Sequence, residues 1–326
     1  MLKRLFSIRN PKSEIRNRKS STVFHSTLCI LHSAFLSLGL SFYSCSEPSD
    51  SPIIVASTGT EVGAAVGADT TWRAAESPYL VVADLIVPES VTLTVEAGTE
   101  ALFDAGTALI VHGRLMAVGT SAQLVVFTKS PNAVGWKGII CKNRDGVQSR
   151  LQYAKIAYAE TGIACEGASP ELVDCQITDN QTGILLDGSA ARITHNLVQG
   201  NETGIAIANA SYLAKPPTVS NNVITENALG VVVAAAVQLP IALSHNNIDG
   251  NYEYGLFIQG VCKVGSLGHQ KDCDAVDATG NWWGDTGETA IAAQIFDRDD
   301  QPNTRRVVYV PYAVGSIPQA GPRNAD

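Results

Sequence analysis

Short runs in which apolar and polar residues alternate fill much of the chain between residues 79 and 259. The clearest runs follow a recurring glycine. After Gly183, Gly204, Gly230 and Gly255, apolar residues fall one and three positions on: Ile184 and Leu186, Ile205 and Ile207, Val231 and Val233, Leu256 and Ile258. A period of two marks a strand with one buried face. No segment carries a capped helical period, so an all-β chain is expected.

The runs are themselves periodic. Gly162, Gly183, Gly204, Gly230 and Gly255 are spaced 21, 21, 26 and 25 residues apart, and Trp136-Lys137-Gly138-Ile139 fits one step upstream. Asn180, Asn201, Asn227 and Asn251 keep the same phase, with Ile177, Val198, Ile224 and Ile248 three residues before them. Five residues before them lie Cys175, Asn196, Asn222 and Asn246. Strand-only units of this length predict a β-solenoid, in which each coil buries its apolar face only against its neighbours. Inward asparagines stacked at a corner form a ladder that must be fully paired. The repeating glycines are expected to supply the positive φ of the bends.

Upstream, Leu93-Thr-Val95-Glu-Ala-Gly98-Thr99, Ala108-Leu-Ile-Val111-His-Gly113-Arg-Leu115 and Leu124-Val-Val-Phe127-Thr128 lead into Trp136-Lys137-Gly138-Ile139. This run resembles the opening coils of right-handed parallel β-helix proteins of the pectate-lyase-like superfamily. Gly280-Asn281-Trp282-Trp283-Gly284-Asp285 resembles the signature closing many of them, followed by the strand Arg306 to Pro311. The resemblance covers roughly residues 72–314. It implies a right-handed, single-stranded parallel β-helix. Dividing residues 79–280 by about 22 per coil gives about nine coils. The implied C-terminal cap holds Asn281, Trp282, Trp283 and Gly284, and residues 71–80 are expected to cover the other end.

The remaining segments read differently. Residues 1–45 hold seven Lys/Arg and one acid, and an uncharged apolar run extends from Leu28 to Phe42. A basic stretch before an apolar one predicts a secretory signal peptide. Ser44-Cys45 resembles a bacterial lipoprotein junction with Cys45 as the lipidated residue. Lipoprotein and simply secreted protein both stay open, and a membrane is expected only through such an anchor. Residues 46–70, rich in Ser, Gly and Ala, read as a flexible tether, and residues 315–326 as a disordered tail. The domain is thus residues 71–314.

Composition narrows the chemistry. The chain has 326 residues, 17% of them charged, and a formal net charge of −8. Without residues 1–45, 16 basic and 30 acidic residues remain, a net −14. Such an acidic body excludes nucleic acid as the main partner. No motif marks catalysis. Glycosidases need two carboxylates about 5 to 9.5 Å apart, and acids do not recur at equivalent outward positions of adjacent coils. The most suggestive polar column is Asp174, His195, Asn221 and His245, six before each ladder Asn. It reads as a binding stripe or as plain solvated corners. Tyr212, Tyr252 and Tyr254 are candidate sugar-stacking aromatics. Asp297, Asp299 and Asp300 offer a weak calcium possibility beside the reading as a solvated loop; otherwise no metal or cofactor is expected. Cys262 and Cys273 bracket an excursion and are expected to form a disulfide, as an exported protein allows. Cys141 and Cys165 are expected to stack inward as buried thiols.

These features favour an exported cell-envelope β-helix that binds polysaccharide or envelope partners without catalysis. A carbohydrate lyase or hydrolase and a periplasmic accessory protein are the alternatives.

Overall fold

The computed structural model describes residues 59–142, 148–208, 215–235, 237, 239–262 and 273–324. The leader with Cys45, residues 46–58 and Tyr212 lie outside these. Every strand pairing among the described residues is parallel, and each strand pairs with the strand one coil away. One coil contributes three strands in turn. Glu171–Val173 belongs to a ten-stranded sheet, while Gln176–Thr178 and Thr182–Asp187 belong to two adjoining columns of a 17-stranded sheet.

Inward residues stack in register. Ile177, Val198, Ile224 and Ile248 form one column, Ile163, Ile184, Ile205, Val231 and Leu256 a second, and Leu172, Ile193, Val219 and Leu243 a third. All are at most 1% exposed. Trp136 is part of this core, stacked on Phe103 at 4.0 Å and donating from Nε1 to the Ala157 carbonyl at 2.8 Å.

Two of the three corners in a coil are tight, and one asparagine ladder lines each. At the first, Asn196, Asn222, Asn246 and Asn281 stack upon Cys175; at the second, Asn180, Asn201, Asn227 and Asn251 stack. Each Asn Oδ1 accepts the backbone N–H of the preceding rung, as when Asn201 Oδ1 accepts from Asn180 N at 3.0 Å. Asn201 Nδ2 donates to the Ile177 and Gln199 carbonyls, both at 3.1 Å, and to Asn227 Oδ1 at 2.9 Å. Asn281 is therefore the last rung of the first ladder as well as part of the closing signature. Trp283 packs behind it, fully buried. Trp282 is half-exposed and Gly284 exposed.

Apart from Gly138, at φ 110°, the repeating glycines do not make the bends. Tyr153, Asp174, His195, Asn221 and His245 hold φ between 47° and 58° at the first corner. Tyr158, Asp179 and Glu226 hold 56° to 61° at the second, where Gly200 and Gly250 take the same turn. Asp, Asn and His tolerate this left-handed region better than most residues. Gly162, Gly183, Gly204 and Gly230 instead answer a close approach. A Cβ on Gly183 would stand 2.6 Å from the Gly204 carbonyl oxygen and 3.2 Å from Asn201 Nδ2. The ladder and the glycine column are thus one steric unit.

The solenoid has about eight turns. The expected nine coils agree with the nine stacked positions from Ile86 to Phe296, which are eight steps apart, although coil length is uneven: Ala117 pairs with Leu151, 34 positions on, and Ile241 with Val276, 35 on. Two boundaries also differ from expectation. Thr60–Ala65 pairs with Tyr79–Val87, and Thr70–Trp72 with Thr92–Val95, so the coils begin within the segment read as a tether. Thr60–Ala65 is an edge strand with no face fully buried, so its sequence shows no alternation. Within residues 71–80, the segment expected to cover this end, Trp72 stacks on Tyr79 at 4.5 Å. At the other end, residues 312–324 turn back along the outside of the coils instead of trailing as a disordered tail.

Replacing Asn201 by Leu orphans the Asn180 amide and the Ile177 carbonyl. It should destabilise the fold by about 3 kcal/mol, measured by urea unfolding. A neutral effect would show that the ladder does not hold the coils.

Candidate functional site

The outward positions of the strands that follow the second corner form an unbroken apolar column. Ile86, Ile110, Ile140, Ala164, Leu185, Ala206, Val232, Phe257 and Phe296 occupy it, one per coil and paired in register. Most are half-buried by their neighbours and still reach the surface. The column ends in an aromatic cluster. Phe257 stacks on Phe296 at 4.8 Å, and Tyr254 meets Phe296 edge-on at 5.5 Å and Phe257 at 5.6 Å.

Beside this column, at the second corner, lies a cavity of about 470 Å³. Its lining includes Val134, Tyr158, Glu160, Asp179, Gln181 and Glu202. Glu160, Gln181, Glu202, Ala228 and Tyr252 occupy equivalent positions just after the ladder residue, because each donates its amide to the ladder-position carbonyl one coil back, save Glu160, which donates to Trp136. Asp179 enters from the left-handed corner position, one coil from each of the two glutamates. Lys129 Nζ stands 5.8 Å from the Tyr158 ring centroid. A wall of carboxylate and amide oxygens beside exposed rings offers hydrogen-bond acceptors and stacking faces. The three carboxylates were not legible as a set, since Asp179 sits out of phase with Glu160 and Glu202. The column after the ladder residue is the signal that finds the two glutamates.

The candidate aromatics separate. Tyr254 belongs to the cluster, and Tyr252 is exposed on the same flank.

The polar column is brought together, and most of it is covered. Arg323 donates from Nε to Asp174 Oδ1 at 2.8 Å, from Nη2 to Oδ2 at 2.7 Å and from its backbone N to Oδ1 at 3.1 Å. Gln152 Nε2 reaches Oδ2 at 3.4 Å. His195 Nδ1 lies 3.0 Å from the Gln319 carbonyl oxygen, and Gly321 donates to the Asn221 carbonyl at 2.9 Å. His245 stays exposed. The side chain of Asp174 is fully buried. Burial alone would raise its pKa, but the hydrogen bonds and charge of Arg323 outweigh burial and hold it below the usual carboxylate range.

The Asp297 carboxylate accepts from Val307 N at 2.7 Å and Asp299 N at 2.9 Å, and Asp300 accepts from Asp297 N at 3.1 Å. These acids thus cap their own loop. Among the described residues no group of three or more His, Cys, Asp or Glu could hold a metal ion. Cys262 and Cys273 are disulfide-bonded. Cys141 and Cys165 are paired in register, buried and free, and burial pushes the Cys141 thiol up to about 12, which makes it unreactive.

Because the folded pKa of Asp174 is depressed, its stabilisation is fully present above the unfolded value of 3.8 and lost as pH falls through the lower folded value. Hydrogen exchange at the Gly321 and Arg323 amides should therefore be slower at neutral pH than in acid below that range, after correction for intrinsic rates. Protection that persists through that range would contradict the pairing.

A family model described as right handed beta helix region matches residues 125–264. No curated protein and no solved structure matches the chain. With the all-parallel stack of coils, the match identifies the chain as a right-handed parallel β-helix repeat protein.

Proposed function

We propose that this chain is an exported cell-envelope β-helix that binds polysaccharide without cleaving it, along the outer face of the strands after the second corner. The observation that carries the reading is the apolar column ending in Tyr254, Phe257 and Phe296, flanked by the cavity lined by Glu160, Asp179 and Glu202. Apolar and aromatic surfaces pack against the C–H faces of sugar rings, and carboxylates accept hydrogen bonds from their hydroxyls. Export rests on the basic and apolar segments of residues 1–45, and an envelope ligand fits that address.

A second reading is favoured by the same cavity. Three carboxylates from successive coils share it, and hydrolysis of a glycosidic bond needs two. In that case Glu202 would serve as acid or nucleophile.

A glycan array should identify a retained polysaccharide, and Phe257→Ala should weaken its binding about tenfold through the lost stacking surface. A reducing-end assay on the retained polysaccharide should stay flat. Release of reducing ends that Glu202→Gln abolishes would replace binding by hydrolysis. Binding unchanged by Phe257→Ala would remove the proposed face.

A further inference from the structure

The C-terminal segment is attached to the coils as a ligand would be. Residues 313–324 form no strand, and none joins the apolar core. A segment with few buried apolar contacts opens at low free energy. Its bonds go instead to outward groups on four successive coils. Asn247 reads both backbone groups of Ile317, accepting from its N–H at 2.9 Å and donating to its carbonyl at 3.2 Å. His195 meets the Gln319 carbonyl, the Asn221 carbonyl takes the Gly321 amide, and Asp174 takes the Arg323 guanidinium with both oxygens.

Three features make this strip selective. It reads backbone groups at Ile317, Gln319 and Gly321, which only a peptide making the same turn presents together. It demands a small residue at one position, since a Cβ on Gly321 would meet Val223 Cγ2 at 3.0 Å and the φ there is +93°. It ends on a buried carboxylate that calls for a cation, and the planar guanidinium matches it in a fork that an ammonium cannot reproduce. From the Asn247 coil to the Asp174 coil is three rungs, about 14 Å at the strand spacing. The seven residues from 317 to 323 span this with a turn that the Ala320 amide closes onto the Ile317 carbonyl.

We propose that the strip formed by Asp174, His195, Asn221 and Asn247 is a recognition site for an arginine-bearing peptide that makes the same turn as residues 317–321. The protein's own residues 315–324 fill it in cis, and when they lift it accepts such a segment in trans. This site is separate from the apolar column and stands whether or not that column binds polysaccharide.

The test uses the full chain and a fluorescent peptide carrying residues 312–324, read by anisotropy. Arg323→Ala loosens the cis segment and leaves the coils intact, as an unchanged melting curve would verify. It should bind the peptide at least about tenfold more tightly than the wild-type chain, in which the tethered segment competes at high effective concentration. The double variant Asp174→Asn, Arg323→Ala should bind at least about tenfold more weakly than Arg323→Ala alone. Arg323→Lys, which keeps the charge and loses the fork, serves if the alanine variant misfolds, and should also bind more tightly than wild type. No saturable binding by either Arg323 variant, or binding indifferent to Asp174, would overturn the proposal.

Discussion

The backbone amide at a tight corner is the group on which the rest of this structure depends. Strand residues satisfy their amides through the parallel ladder, but a corner residue has left one column and has not yet entered the next. A buried amide left there without a partner would cost about 1–3 kcal/mol in every coil. The asparagine one coil away removes that cost by presenting Oδ1 to it, and its own Nδ2 satisfies nearby carbonyls. The consequence is a strict register, since each rung is bonded through its neighbours. The small glycine before each inward Ile follows from the same contact, because the Asn amide and the next carbonyl leave no room for a side chain.

That register divides the molecule into a fixed inside and a permissive outside. Inward columns repeat closely throughout, and both tight corners repeat closely in the coils between residues 150 and 259. Insertions are accommodated where they point outward, as where residues 119–124 and 130–137 lengthen the two corners of one early coil. Outward positions are free to vary, and there the chemistry gathers: an apolar column with an aromatic end, an acidic cavity beside it, and a polar strip held by the C-terminal segment. Coupling a rigid scaffold to variable outward columns gives a repeat protein several distinct faces at little cost to its core.

What was legible in the sequence was what repeats. The ladder asparagines, the inward Ile and Val columns, the closing Asn281-Trp282-Trp283 and the stacked Cys141 and Cys165 could be read because stacking imposes one phase on all of them. What escaped was aperiodic or one-sided. Thr60–Ala65 buries neither face fully, so its membership of the first coil left no alternation. Arg323 meets Asp174 across 149 residues, a single contact that no local pattern marks. Asp179 joins Glu160 and Glu202 only because a left-handed corner brings two phases into one cavity. The role of the repeating glycines was misread for a related reason: a glycine needed for close approach looks the same in sequence as one needed for positive φ.

The most direct measurement of the ladder's role is native-state hydrogen exchange at the corner amides of Asn180, Asn201, Asn227, Asn196 and Asn222. Corners are normally among the first parts of a fold to exchange. Here they should exchange as slowly as the central strand amides of Ile184 and Ile205, opening only with the coils themselves. Corner amides that exchange rapidly while those strands stay protected would contradict the account, because the register would then be held by the strands alone.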